Sequence, residues 1–447
     1  MKILHAVFAV ACFIFLSSLV LIPFGNADWV MFRSDVSHSG AGSGTQVSTP
    51  VLLWNYTTGD YVDSSPAVVG GVVYVGSDDG NVYALSATSG AKLWNYSAGY
   101  YNYVDSSPAV VGGVVYVGSD DGNVYALNAA SGAKLWNYTV GTAVDSSPAV
   151  VNGVVYIGSE VSTLSFSSYT GDVYALNNIT GAKLWSYPTS GGVYSSHAVV
   201  GGVVYVGSDD GDVYALKAAD GSKLWNYTTS GEVDSSPAVV GGVVYVGSDD
   251  GNIYALSASD GSKLWNYSIG GNVGSSPAVF NGVVYVGSEI SNIFSTYNGT
   301  VYALSASDGS KLWSYITGGN IGSSPAVVDG VVYVGSGDGN VYALNAANGA
   351  KLWNYETGRW VYSSPAVVNG VVYIGSYNHK VYALGDQSAL PTSSGSPTPS
   401  ASTTSTPSPN SSDTPLIIIA VAIVAVLIIC TLVFIVFRNR MKTKPKA

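Results

Sequence analysis

Four aspartates, Asp63, Asp105, Asp145 and Asp234, occupy one repeated position just ahead of a Ser-Ser pair. Carboxylates act as general acid and base when their surroundings drive their pKa values apart. Four copies in one context read instead as repeat identity. The turns Asp-Asp-Gly-Asn at 78–81, 120–123 and 249–252, with Asp-Asp-Gly-Asp at 209–212, offer Ca²⁺ a weak site at most. They lack the spaced ligands of an EF-hand loop, and the same residues make tight turns without a metal. His197 stands where the other copies have Pro in Ser-Ser-Pro-Ala-Val-Val, and reads as a structural residue. His379 has no partner evident in sequence, so no metal site is expected there. Cys12 and Cys430 lie in apolar segments outside the repeats, which leaves the folded part no disulfide and no thiolate site. No catalytic, cofactor-binding or metal-ligating residue is expected.

The elements that carry these residues repeat. Trp54, Trp94, Trp136, Trp185, Trp225, Trp265, Trp313 and Trp353 are spaced by 40, 42, 49, 40, 40, 48 and 40 residues. A period near 40 marks a propeller or a solenoid. Each unit has four strand-like pieces, in the second unit SSPAVV (106–111), GVVYVGS (113–119), NVYAL (123–127) and AKLWNY (133–138). Apolar residues alternate or run in short blocks bounded by Gly, Asn, Asp and Ser, which fits strands and carries no helical period. Val-Gly-Gly or Val-Asn-Gly between the first two pieces supplies the positive φ angles of a tight hairpin. The first three pieces each occur eight times, whereas the last VYAL (381–384) has no Trp strand after it and VLLWNY (51–56) precedes the first unit unpaired. Closing the ring with that N-terminal strand hides the free edges. The expected fold is all-β: an eight-bladed propeller of four-stranded antiparallel blades over residues 51–386.

In a propeller the hairpins joining strands one to two and three to four share one face. The two-to-three hairpins and the blade crossovers share the other. Here the first face is nearly constant and the second varies. Its hairpins carry insertions at Glu160–Asp172 and Glu289–Thr300, and long loops on one face of an array usually carry function. One crossover position reads Tyr61, Tyr103, Ala143, Gly192, Glu232, Asn272, Asn320 and Trp360. On a closed ring Trp360, Tyr61 and Tyr103 are consecutive, and Tyr100, Tyr101, Arg359, Tyr362, Tyr377 and His379 belong to the same three blades. These nine residues form a candidate ligand-binding rim, suited to stacking on sugar rings or a peptide.

Outside the ring the composition shifts. Residues 1–27 read as a signal peptide, with Lys2, an apolar run and a Gly-Asn-Ala cleavage site. A polar lead-in follows at 28–50. Residues 387–414 form a Ser/Thr/Pro-rich stalk, 415–437 a transmembrane helix and 438–447 a basic tail. The positive-inside rule places that tail in the cytoplasm and the propeller outside the cell membrane. Net charge is −11, and setting aside Lys2 and the five basic tail residues leaves 11 Lys and Arg against 28 Asp and Glu. Nucleic acid and anionic lipid are thereby excluded as partners of the central region. Asn55, Asn95, Asn137, Asn178, Asn226, Asn266, Asn298 and Asn410 begin Asn-X-Ser/Thr sequons, candidate N-glycosylation sites.

The run Ala126 to Trp136, ALNAASGAKLW, resembles the tryptophan-docking motif of the pyrroloquinoline-quinone (PQQ) dehydrogenase-like β-propellers, A-x-D/N-x-x-x-G-x-x-x-W. Six further copies end at Trp94, Trp185, Trp225, Trp265, Trp313 and Trp353. Trp29-Val-Met-Phe-Arg with Asp35 and His38 resembles the start of secreted members. The resemblance covers about 28–384 and implies that each Trp packs on the neighbouring blade, with Gly allowing close approach. It also implies PQQ and Ca²⁺ in those members that are dehydrogenases. Those enzymes close their site with adjacent cysteines, which the propeller here lacks. The expectation is therefore no cofactor and a non-enzymatic cell-surface propeller that binds protein or glycan, or contributes to the envelope. A PQQ-dependent dehydrogenase and a scaffold for envelope protein assembly are the alternatives.

Overall fold

The computed structural model describes residues 28–99, 102–162, 169–291 and 297–386. The expected signal peptide, stalk, transmembrane helix and basic tail lie outside the described residues. Eight four-stranded antiparallel sheets form the ring. In blade 1 the strands are Ala67–Val69, Val72–Ser77, Asn81–Ser86 and Lys92–Ser97, and the other blades repeat this order. The hairpin after the innermost strand carries positive φ at both central residues, as at Gly70 (57°) and Gly71 (79°) or Asn152 (51°) and Gly153 (81°). That is the turn which matches strand twist. In blade 8 the outermost strand is Val51–Thr57, paired with Lys380–Gly385, so the N-terminal strand closes the ring.

Blade packs on blade through a shared acceptor. Trp94 Nε1 and the Tyr74 hydroxyl both donate to the carbonyl of Ala129 in the next blade, at 2.9 and 3.1 Å. The same pair recurs at Trp54 and Tyr373 on Ala87 O, and at Trp265 and Tyr245 on Ala306 O. A Cβ on Gly132 would lie 2.7 Å from the Trp94 ring, so only Gly lets the turn settle on the indole. These rings are buried, and truncating one costs roughly 3–5 kcal/mol. Trp353 is the exception. Blade 8 has no three-to-four hairpin, and the indole donates to Val47 O of the lead-in.

A belt of serines closes the ring on the inside. The backbone N–H of Ser65 donates to Ser107 Oγ, Ser107 to Ser147, Ser147 to Ser196 and Ser196 to Ser236. Ser236, Ser276 and Ser324 continue to Ser364, whose N–H returns to Ser65 Oγ. The N–H of the second serine of every pair is thereby satisfied, as buried backbone requires.

The lead-in, read from sequence only as a polar segment at 28–50, is a plug. Inner strands leave their channel-side backbone unpaired, and residues 29–40 supply partners. Val68, Val110, Val199, Val239, Val279 and Val327 donate their N–H to the carbonyls of Trp29, Val30, Val36, Ser37, Ser39 and Gly40. Ala41–Gly42 then adds a parallel strand to the inner edge of blade 7. One end of the central channel is thereby closed, at the constant face.

Candidate functional site

At the opposite end, on the variable face, the start of each inner strand meets the two-to-three hairpin of the preceding blade. Eight such meetings ring the channel mouth. Three join two carboxyl groups: Asp78 with Asp105, Asp120 with Asp145, and Asp209 with Asp234. Two join a tyrosine hydroxyl to a carboxylate, Tyr194 to Glu160 and Tyr377 to Asp63. At Glu289 the facing residue is Gly322 and at Tyr362 it is Gly337, while Asp249 accepts from Asn272 Nδ2.

Burial, with repulsion between neighbouring carboxylates, raises the pKa of several carboxyls at this mouth. Burial raises Asp78 to about 8, with Asp105 adding repulsion. Asp105 rises to about 7, from burial and then the Asp63 charge. Asp63 itself reaches about 7 by burial, against the Tyr377 hydrogen bond. Burial also raises Asp120, Asp145, Asp209 and Glu289, and lifts Asp249 to about 6. The repeated aspartates are thus more than repeat identity. Asp105, Asp145 and Asp234 face hairpin carboxyls that lie 25 to 27 residues away in sequence, and only ring geometry joins them. Asp63, Asp78, Asp105, Asp120, Asp145 and Asp209 each leave a buried oxygen without a hydrogen-bond partner in the protein. Glu232, Asp234 and Asp249 bring one oxygen each within 4.8 Å of one another, a spacing that acidic turns also reach unaided.

Part of the predicted rim comes together beside this ring. Tyr61 stacks on Tyr377, 4.6 Å between centroids and 4° between planes. His379 meets the Tyr61 edge at 5.0 Å and lies 3.8 Å from the Asp60 carboxylate. Trp360 packs on Tyr362 and Tyr377 at 5.7 and 5.6 Å. Tyr61 and Trp360 stay 41% and 51% exposed, leaving ring surface for a ligand. Tyr377 belongs to both systems, since its ring is in the stack and its hydroxyl on Asp63. Tyr103 is exposed on the next crossover and Arg359 on the same rim as Trp360. Tyr100 and Tyr101 lie outside the described residues. The insertions continue strands two and three of blades 3 and 6 to Val154–Ser162 with Tyr169–Asn177, and Val283–Ser291 with Tyr297–Ser305.

The plug holds a second polar group. Arg33 donates to the carbonyls of Pro325 and Pro277, the latter at 2.5 Å. Burial lowers its pKa to about 9 against the attraction of Asp35. His38 and His197 are buried and mutually close, and burial depresses both to about 3. His197 is less settled than expected, because neither ring nitrogen has a partner in the protein. A groove between blades 6 and 7, lined by Phe280, Tyr285, Leu312, Val331, Ala346 and Leu352, has an equivalent between blades 1 and 2. It belongs to the repeat, not to a site.

A quinone cofactor would meet the wrong charge here. PQQ is a tricarboxylate. The mouth presents carboxyls, while Arg33 is sealed in the plug. Among the described residues this donor set does not fit that group.

The family model described as outer membrane protein assembly factor BamB matches residues 36–172, 169–293 and 269–412. None of the curated protein sequences matches the chain. Among solved structures it is similar to a europium-containing methanol dehydrogenase, with 16% identity, TM-score 0.69, and coverage of 80% of this chain and 98% of that one. BamB from Moraxella catarrhalis aligns at 20% identity and TM-score 0.62, covering 76% and 98%. The quinohemoprotein alcohol dehydrogenase of Comamonas testosteroni aligns at 18% and 0.69, covering 84% and 82%. The expectation that the chain is not an enzyme is thereby overturned. Dehydrogenases and an assembly factor share this fold alike, and at such identities the likeness concerns fold alone.

Proposed function

This chain belongs to the PQQ-like β-propeller family of the outer membrane protein assembly factor BamB, and from that premise we propose that it is an envelope scaffold whose channel mouth captures a basic segment of a partner protein. One observation carries the reading: Tyr377 joins the exposed aromatic stack to the acidic ring. Lysine and arginine bury their stems on aromatic faces and place their charge on carboxylates. A sugar would find the faces but has no use for so many acids, so the rim favours a cationic peptide over a glycan. Asp28 and Asp386, the first and last described residues, bond to Gly70 and to Ser48 and Thr49 at the constant face. The mouth is left clear of both.

The test is titration of the detergent-purified full chain with Lys/Arg-rich and Glu-rich peptides. Binding of the basic peptide, weakened at least about tenfold by joint Tyr61→Ala and Trp360→Ala changes, is expected; a tenfold loss corresponds to about 1.4 kcal/mol. Unaltered binding would sink the idea. Quinone absorbance retained after adding PQQ and Ca²⁺, with alcohol oxidation, would replace the scaffold reading by a dehydrogenase.

A further inference from the structure

A closed ring removes edges between blades but not at its rim. The outermost strand of every blade is the last of its sheet, so eight nearly identical edges face solvent. Each is apolar enough to pair with another chain, with Leu93, Leu135, Leu224 and Leu264 all about half exposed. Such edges are a liability that proteins cover with charge, proline or bulk.

The outer strands differ at the residues after the tryptophan. Blades 8, 1, 2, 4 and 5 read Asn55-Tyr-Thr57, Asn95-Tyr-Ser97, Asn137-Tyr-Thr139, Asn226-Tyr-Thr228 and Asn266-Tyr-Ser268. In all five the Asn and the hydroxyl residue are exposed on one face of the strand, while the Trp beside them points inward. Asn95 Nδ2 spends one hydrogen on Asn81 Oδ1, and Asn137, Asn226 and Asn266 do the same across their blades. The second hydrogen is free for substitution. Blades 3 and 7 have Pro188 and Glu356 on the exposed edge in place of a sequon, and both protect an edge by other means. Blade 7 keeps the Asn354–Asn340 bond without a sequon, so the cross-strand bond does not require the hydroxyl residue. Blade 6 alone has neither, and exposes Ile316.

We infer that Asn55, Asn95, Asn137, Asn226 and Asn266 carry N-linked glycans that shield five of the eight blade edges. The transfer forms a bond from Nδ2 to the anomeric carbon of a lipid-phosphate-linked oligosaccharide. The bond from that carbon to the phosphate breaks, and the amide proton passes to a base of the transferase. Asn178 is half-buried with Thr180 held on Asn177, and Thr300 of the Asn298 sequon is buried. Neither shares this arrangement, and Asn410 lies outside the described residues.

Mass spectrometry of peptides from the full chain, purified from the cells that make it, tests the assignment. Sugar masses are expected on the five asparagines and none on Asn354. Thr57→Ala and Ser268→Ala, which leave the asparagines in place, should each remove one. Unmodified peptides at all five positions would overturn the inference. Chain made in a host without the pathway should form larger assemblies by light scattering, and an equal size in both forms would overturn the shielding role.

Discussion

The two ends of the channel are both polar and buried, yet they use charge in opposite ways. At the plug a single guanidinium is bonded to two proline carbonyls just ahead of the inner strands with Asp35 nearby, and the imidazoles beside it stay neutral. At the mouth, like charges crowd together and are kept from repelling only by holding their protons. One end stabilises the ring. The other holds carboxyls neutral, and on the proposed reading a cationic partner would favour their ionised form. On that reading, stability and binding sit at opposite ends of one set of eight strands.

Removing Arg33 is the harshest way to break this contrast. Arg33→Ala leaves buried carbonyls unpaired and should cost about 3–5 kcal/mol, read as a lower denaturant midpoint. Peptide affinity of the protein that remains folded should not move. A mouth that failed along with the plug would show the ends to be coupled.

The pH profile sharpens the comparison because the ends carry opposite signs. Mouth carboxyls have folded pKa values of about 6 to 8, above the unfolded value near ~3.9. Their contribution is greatest below that unfolded value and is lost as pH rises from about 4 to 8. The plug imidazoles, depressed to about 3, contribute fully above an unfolded value of ~6.5 and lose it as pH falls. Melting temperature should therefore be higher at pH 6 than at pH 8.5, with His197→Pro weakening the opposing acid limb. Basic-peptide affinity should rise over the same interval as the mouth ionises.

A smaller shift is expected from Asp78→Asn, Asp120→Asn and Asp209→Asn together. The alkaline fall in melting temperature should flatten, while peptide affinity drops because the charge is gone. Smallest of all is the effect of Tyr61→Ala with Trp360→Ala on stability. Both side chains are largely exposed, and surface changes stay within about 0.5 kcal/mol, so scanning calorimetry should barely separate that variant from the parent.

Blade count, hairpin turns, docking tryptophans and the closing strand were all legible in the sequence, because each depends on residues repeated at a fixed period. Trp54 paired with an absent hairpin partner was enough to close the ring. The mouth was half legible. Its aromatics stood out as exceptions to the repeat, whereas its carboxyls disappeared into it: Asp105 looks like any other copy until Asp78 of the preceding blade is set against it. The plug was invisible. Residues 29–40 bind through backbone carbonyls, which every sequence has, and their partners are six separate valines. The Trp-x-Met-Phe-Arg opening was the one signal present, and it spoke of resemblance rather than position.

Closure by Val51–Thr57 also sets an order in time. That strand pairs with Lys380–Gly385, and the plug before it touches blades spread across most of the chain. The earliest segments to be synthesised are thus the last to find partners, because their seats are built only when the final blade arrives. Until then, the serine belt is an open arc with two raw ends. Long-range contacts of this kind make folding slow and leave edges exposed on the way. A nascent chain of this protein has to be kept from its neighbours until Lys380–Gly385 has emerged.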